Sequence, residues 1–332
     1  MKILIIGDPL QGLKPIGDSS LGMVREALNR KHEIIWANDS NITLCLTDVI
    51  AYGQTILECP KDKLPIRMGD EALFLVRDFD TVWIRKDPPF DDRYVTLTWL
   101  LSLEERPGGP LFINRPSLLL KYHEKLLPFF AARDGFLEPS DLVPSALSAD
   151  FLLNPQNASK FPEAFSFLNT HLGEFIVKPW LGHGGRGVEK MPDLKQAAAK
   201  ALEVSKTAER SLLQPFVPEV RSLGDRRAFF LGGKYVGSFS RMPQGQGFIS
   251  NIAQGGTGLV RDLTAPELRL CKQLEAFFEA NSIFIAGVDL LAERVSEINI
   301  TSPTGFLKYV ELGGPDLILN YLDLIEAQII KK

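Results

Sequence analysis

The chain opens on an unbroken apolar run, Ile3-Leu4-Ile5-Ile6, stopped by Asp8-Pro9; the Gly- and Pro-containing loop behind it leads into a helix predicted over residues 19–30, capped by Asp18 or Ser19. A strand, a loop and a helix in that order open an α/β domain. A second run, Thr81-Val82-Trp83-Ile84, ends in Arg85-Lys86-Asp87-Pro88-Pro89-Phe90-Asp91. Its charges therefore fall in the loop after a strand, the edge where open α/β sheets bind ligands. Residues 111–114 predict a further strand, closed by Arg115-Pro116, and a helix from about Ser117 to Asp134 follows. Pro144 to Pro162, rich in Ser, Asn, Pro and Ala, predicts a connecting loop with a short helix. From Glu174 onward strands and Gly-rich turns dominate, with helices near 193–206, 265–281 and 315–330. The fold class is α/β, with α+β character in the C-terminal half, and we divide it into residues 1–120, 121–206 and 207–332. No internal repeat or low-complexity segment interrupts it.

Composition narrows the partners. The 332 residues suffice for two or three domains; a hydrophobic fraction of 45% with 23% charged residues is that of an ordinary globular protein. A net charge of −4 gives no footprint for a polyanion, which excludes nucleic acid as a bulk partner but leaves small acidic ligands open. The first apolar run is too short for a signal peptide, and no stretch reaches membrane-spanning length. Cys45, Cys59 and Cys271 are odd in number and form no C-x-x-C pair, against a disulfide framework or a cysteine metal site. The expectation is a cytoplasmic chain acting on small molecules.

The densest chemistry lies between Gly287 and Pro303. An apolar run to Leu291 is followed by Ala292-Glu293-Arg294, which can close a three-residue turn, and by Val295 to Ile300, which alternates like a returning strand. With that turn Leu291 faces Val295, Asp289 stands opposite Glu297, and Asn299 shares the face of Glu297. Opposed carboxylates weaken a sheet. Three oxygen-bearing side chains on one face suit Mg²⁺, which completes its shell with nucleotide phosphates and water. The polar face of an exposed hairpin is the competing reading.

Upstream, Phe175-Ile176-Val177-Lys178-Pro179-Trp180 runs into Gly182, Gly184, Gly185 and Gly187, offering backbone N–H groups around a phosphate with Lys178 as point charge. The lysine precedes the glycines, so this is no Walker A loop; a plain tight hairpin from Ile176 to Val188 is the alternative, and His183 within it reads as an incidental polar residue. Residues 211–218 form a strand entering a proline-rich linker, where a purine edge can meet main-chain groups beside Phe216, with Asp225 downstream as a ribose acceptor. Residues 226–241 read as a hairpin turning at Gly232-Gly233, from which Arg227 and Arg241 can project together toward a phosphoryl group. Residues 245–258, glycine-laden and low in charge, fit a lid, and an ordinary flexible loop nearly as well.

The order of these segments, together with Asp18-Ser19-Ser20, Arg85-Lys86-Asp87-Pro88-Pro89-Phe90-Asp91, Asn114-Arg115-Pro116, Glu124-Lys125-Leu126, Asn251 with Gly255-Gly256, and Glu297-Ile298-Asn299-Ile300-Thr301-Ser302-Pro303-Thr304, resembles the ATP-grasp ligases, and within them bacterial glutathione synthetase. The resemblance runs from residue 1 to about 330 and implies an ATP-grasp fold behind a Rossmann-like N-terminal domain. It implies that Lys125 and Lys178 hold ATP phosphates beside the glycine loop, that Gln214, Phe216 and Val217 contact adenine, and that Asp225 reaches the ribose. Asp289, Glu297 and Asn299 would bind Mg²⁺, or Mn²⁺ in its place, and Arg227 and Arg241 would stabilise the phosphoryl group and the acyl phosphate. Asp18, Ser19, Ser20, Arg85, Asn251, Gly255 and Gly256 would meet substrate. The implied reaction joins γ-glutamylcysteine to glycine at the expense of ATP, in a homo-oligomer.

Three departures mark this chain: Leu181 where the glycine loop usually has an acidic residue, Ile249 where an arginine is usual two places before the lid asparagine, and Gly305-Phe306-Leu307-Lys308, one residue longer than the usual Gly or Cys, aliphatic residue and then Arg or Gln. A ligase of the same fold joining another pair of substrates, and a non-catalytic ATP-binding regulator, are the alternatives; the complete set of Arg227, Arg241, Asp289 and Glu297 counts against the regulator.

Overall fold

The computed structural model describes residues 1–62, 66–148, 166–168, 170–206, 210–245, 247–252 and 255–331; most of the connecting loop expected over Pro144 to Pro162 lies outside the described residues. Strand β1 (Lys2–Gly7) has parallel partners on both sides, β2 (Glu33–Ala37) and, across it, the strand Thr81–Arg85. Its unbroken apolar run follows from that position. Leu4 and Ile6 enter one hydrophobic cluster and Ile3 and Ile5 the other, so both faces are buried. Helix α1 (Ser19–Asn29) crosses from β1 to β2, with the Asp18 carboxylate accepting from the Leu21 N–H as its cap. Beyond β2 the sheet turns antiparallel through β3 (Ile42–Cys45), β4 (Asp48–Glu58) and β5 (Arg67–Leu75), the last pairing with β4. On the other side β6 (Thr81–Arg85) pairs with β7 (Leu111–Ile113), with α2 (Asp92–Ser102) between them in sequence.

The single helix expected from Ser117 to Asp134 is two, α3 (Pro116–Lys121) and α4 (Leu127–Arg133). Tyr122 is extended, with φ −127° and ψ 128°, and the break lets Lys125 turn its ammonium to the carbonyls of Trp180 and Gly182. A central antiparallel sheet follows: β8 (Ala146–Leu147), β9 (Phe175–Pro179), β10 (Glu189–Met191) and β11 (Ser211–Pro215), in the order β10-β9-β11-β8, packed against α5 (Leu194–Ser205). Its strand β11 lies past residue 206, where the sequence division ended the central unit.

After α6 (Val220–Leu223), the third sheet takes β12 (Asp225–Leu231), β13 (Lys234–Met242), β14 (Thr257–Leu259), β15 (Ile285–Leu291) and β16 (Arg294–Asn299) in the order β14-β13-β12-β15-β16, with α7 (Ala265–Ala280) packed on it. Helices α8 (Phe306–Glu311) and α9 (Leu317–Ile330) return the chain to the first sheet, where Tyr321 and Ile325 join Ile3 and Ile5. Asn114, just past β7, binds the first sheet to the third. Its Nδ2 donates to the Ile285 and Ile300 carbonyls at 2.7 Å each, and its Oδ1 accepts from the N–H groups of Phe284 at 2.9 Å and Ile285 at 3.0 Å.

Candidate active site

The turn between β15 and β16 is not the three-residue turn expected. Ala292 and Glu293 alone make it, at φ +46° and +62°, and Leu291 pairs with Arg294 and Leu290 with Val295. An unbroken ladder from there would set Ser296 against Asp289. Ser296 is instead bulged out and Asp289 faces Glu297, so the extra residue sits in the strand rather than in the turn and the same two carboxylates meet. Asn299 follows opposite Gly287, its Oδ1 accepting from the Thr301 N–H and hydroxyl at 3.2 Å.

Asp289 is gripped from two strands. Arg227 Nε lies 2.6 Å from its Oδ1 and Arg241 Nη2 lies 2.8 Å from its Oδ2. Burial works against the charged carboxyl, but the two guanidiniums outweigh it and hold Asp289 down at about 2. Gly287 leaves the passage open: a Cβ there would stand 3.1 Å from Arg227 Nη1. The β12–β13 hairpin does turn at Gly232-Gly233, and its register sets Arg227 opposite Phe239 and Arg241 opposite Asp225. The arginines thus converge through Asp289 rather than across one rung. Asp225, the expected ribose acceptor, has Oδ1 on Arg241 Nε at 2.7 Å and Oδ2 on the Ser250 hydroxyl at 3.1 Å; burial, against the pull of Arg241, raises its pKa.

The two lysines approach from the opposite side. Lys125 Nζ donates to the Gly182 carbonyl at 2.6 Å and the Trp180 carbonyl at 2.9 Å, with Glu124 Oε1 at 3.4 Å. Lys178, next to last in β9, lines the same site, and desolvation, with Lys125 nearby, lowers its pKa. Glu124 is a participant that sequence reasoning quoted without a role. Its side chain is buried, its carboxyl meets that of Glu297, and burial followed by that like charge pushes it up to about 8. Its carbonyl accepts from the Ile298 N–H on β16 at 3.2 Å, which joins the lysine segment to the carboxylate strand.

Over these charges lie the glycine loop and the 245–258 segment, of which Gln246, Ala253 and Gln254 are outside the described residues. Gly185, at φ +80°, touches Ile249 and Asn251; a Cβ there would come within 3.0 Å of both. Behind the loop Ile176, Phe216 and Val220 form a small apolar cluster with Val188, Phe248 and Leu291, a slot for a flat apolar group. Gln214 is buried at its edge and donates from Nε2 to the Ser145 hydroxyl at 2.8 Å. Sequence reasoning found Phe216 but missed Ile176, Val188, Val220, Phe248 and Leu291, whose apolar character reads as ordinary core.

One cavity of about 730 Å³ brings together Asp18, Ser19, Lys125, Lys178, Gly182, Gly184, Gly185, Gln214, Phe216, Val217, Asp225, Arg227, Arg241, Asn251, Asp289, Glu297 and Asn299. Ser20, Arg85, Gly187, Gly255 and Gly256 are not in its lining. Arg85, 5% exposed, lies beneath it, donating to the Ser20 hydroxyl and the Pro303 carbonyl at 3.0 Å each. Ser19 lines the wall while its hydroxyl accepts from the Gly305 and Phe306 N–H groups. Among the described residues no group of three or more His, Cys, Asp or Glu could by itself hold an ion. The donor set at β15–β16 is two carboxylates and an amide, oxygen throughout, which fits a hard divalent cation completed by phosphate and water.

Comparison with known proteins shows the family. The prokaryotic glutathione synthetase N-terminal domain matches residues 1–119, and the prokaryotic glutathione synthetase ATP-grasp domain matches residues 154–313. A glutathione synthetase of Prochlorococcus marinus subsp. pastoris is 31% identical over 307 residues, 92% of each chain, and one of Nitrosomonas europaea is 30% identical over 338 residues, covering 100% of this chain and 99% of the relative. Among solved structures, D-cycloserine synthetase DcsG superposes with a TM-score of 0.64 at 17% identity, over 98% of this chain and 99% of its own. The ATP-grasp ligase PsnB, solved with a phosphomimetic variant of its minimal precursor, Mg and ADP, does so with a TM-score of 0.60 at 16% identity over 98% of each chain. These two share the fold. No helix among the described residues is long and apolar enough to cross a membrane. The chain belongs to the prokaryotic glutathione synthetase family, ATP-dependent ligases of the ATP-grasp fold.

Proposed function

We propose that the cavity binds ATP between the central and third sheets and that its residues carry out the two steps of glutathione synthesis. The observation that carries this reading is the convergence of Lys125, Lys178, Arg227 and Arg241 with Asp289, Glu297 and Asn299 in one space, beside an apolar slot at Phe216. Adenine fills the slot. Gln214 and Val217 meet its edge, Asp225 lies toward the ribose, and the glycine-loop N–H groups with Lys125 and Lys178 hold the phosphates. Asp289, Glu297 and Asn299 hold Mg²⁺, or Mn²⁺ in its place, and the bound cation supplies charge neutralisation on the phosphates.

In the first step the cysteinyl carboxylate of γ-glutamylcysteine attacks the γ-phosphorus and ADP leaves. The amine of glycine then attacks the acyl carbon, phosphate departs, and the ammonium proton is lost as the amide forms. Phosphoryl transfer needs placement and neutralisation more than a covalent nucleophile. Arg227 and Arg241, oriented by Asp289, answer the charge that develops on the transferred group and on the acyl phosphate. Residues 247–252 cover the intermediate against water, which would otherwise hydrolyse it. We place the protein in the cytoplasm and expect a homo-oligomer.

The test is ADP release from ATP and Mg²⁺ with γ-glutamylcysteine plus glycine, beside a panel of other dipeptides and amines. Release with that pair is expected; release only with another pair sinks the substrate assignment, and none with any pair favours a binder.

A further inference from the structure

At the N-terminal wall of the cavity the Ser19 hydroxyl accepts from the Gly305 N–H at 3.2 Å and the Phe306 N–H at 3.3 Å, which stitches the start of α1 to the start of α8. Asp18 stands one residue before that stitch and Lys308 two residues after it, and both line the cavity. The intervening Leu307 turns the other way: a Cβ on Gly22 of α1 would lie 3.0 Å from its Cδ2. Lys308 therefore faces the cavity while the residue before it is committed to helix packing. Lys308 has Glu311 as an ion-pair partner at 2.9 Å, and Glu311 is 68% exposed, so the pairing is weak and the ammonium is available.

The chemistry of the substrate supplies the other half. In γ-glutamylcysteine the reacting carboxylate belongs to cysteine, and the far end carries one α-ammonium and one α-carboxylate. Three of the four cations at the phosphate end are already engaged there: Arg227 and Arg241 are on Asp289, and Lys125 is on the glycine loop. A zwitterionic head needs its own acid and its own base at the other end. We propose that Lys308 is a specificity-determining residue that binds the α-carboxylate of the γ-glutamyl head, while Asp18 takes its α-ammonium. This rests on the reading of the donor as γ-glutamylcysteine.

The experiment compares three donors, with glycine as acceptor: γ-glutamylcysteine, 4-aminobutanoyl-cysteine, which lacks only the α-carboxylate, and glutaryl-cysteine, which lacks only the α-ammonium. The wild type prefers the complete donor over 4-aminobutanoyl-cysteine by roughly 10- to 100-fold in kcat/KM, the range of one charge-assisted hydrogen bond. In Lys308→Met that preference collapses toward unity through the KM of the donor, with kcat and the KM of ATP held, and Lys308→Arg restores part of it. Asp18→Asn, which still caps α1, collapses the preference over glutaryl-cysteine instead. Lys14 is the other cation of this wall, on the exposed loop before α1, and Lys14→Met keeps the wild-type ratios. A Lys308→Met enzyme with the wild-type ratio, or a collapse seen in Lys14→Met, overturns the proposal. A wild type that turns over neither complete donor nor analogue removes the parent reading, a result distinct from either.

Discussion

Arg227 sets its Nε 2.6 Å from Asp289 Oδ1 on the neighbouring strand, and its Nη1 donates to the Thr304 carbonyl at 3.1 Å. The guanidinium is thus fixed at both ends before any ligand arrives, which is what electrostatic stabilisation of a transition state requires. A lysine here keeps the charge but cannot make the forked contact. Arg227→Lys is expected to lower kcat by about 10²–10³, the cost of losing one aimed donor, while calorimetric nucleotide affinity changes little. A kcat within a few-fold of wild type would assign Arg227 to packing alone.

The half-buried carboxyl of Glu297 meets that of the buried Glu124. The like charge of Glu297 adds to burial in raising Glu124, a cost in the ligand-free protein that Lys125 Nζ at 3.4 Å only partly offsets. Glu297→Gln is therefore expected to abolish ADP release even at saturating Mg²⁺ and to leave the thermal midpoint at or above wild type. A variant that keeps its activity removes the metal-site argument; one that simply unfolds shows that the carboxylate is structural.

Legibility followed the range of each interaction. The β12–β13 hairpin, the Asp18 cap and the helices near 193–206, 265–281 and 315–330 were readable because turn glycines, caps and apolar periods act over a few residues. The opposition of Asp289 and Glu297 was readable too, although through the wrong turn: a two-residue turn with a bulge at Ser296 and a three-residue turn without one have the same residue count. The break at Tyr122 was not readable, since Lys125 is drawn out of a helix by carbonyls more than 50 positions away, at Trp180 and Gly182. Nor was the position of Arg85. Its Nε and Nη2 go to the Ser20 hydroxyl and the Pro303 carbonyl beneath the cavity lining, while its Nη1 is buried without a partner among the described residues.

His123 lies beside the same break, its ring stacked on Trp180 at 3.9 Å between centroids and 13° between planes. Burial, then the charge of Lys125, pushes its pKa from the ordinary 6.5 down to about 4. Between those values the unfolded chain binds the proton that the folded chain refuses. The contribution to stability is full above about pH 6.5 and is lost as the pH falls through 4, an effect on the order of 3 kcal/mol. His123→Phe keeps the stack and cannot titrate. The stability of wild type relative to this variant, from urea unfolding, should fall on acidification from neutrality to pH 4; a difference that stays flat with pH refutes the assignment.

The turn at Ala292-Glu293 carries its cost in the backbone. Both residues hold positive φ, +46° and +62°, and neither is glycine or asparagine. Side chains of this kind lose on the order of 1 kcal/mol each in that region, and a two-residue hairpin turn with both φ positive is the one that Asn-Gly satisfies best. The number of residues between Leu291 and Glu297 must nonetheless stay the same, because Leu291 helps form the apolar slot and that count sets Glu297 opposite Asp289. Replacing the pair by Asn-Gly preserves that length and relieves both residues. The double variant Ala292→Asn, Glu293→Gly is expected to gain about 1–2 kcal/mol in urea unfolding, with kcat and the KM of ATP unchanged. A gain in stability accompanied by a loss of activity would mean that the strained turn itself adjusts the spacing of the two carboxylates, and the register would then have to be treated as part of the catalytic device.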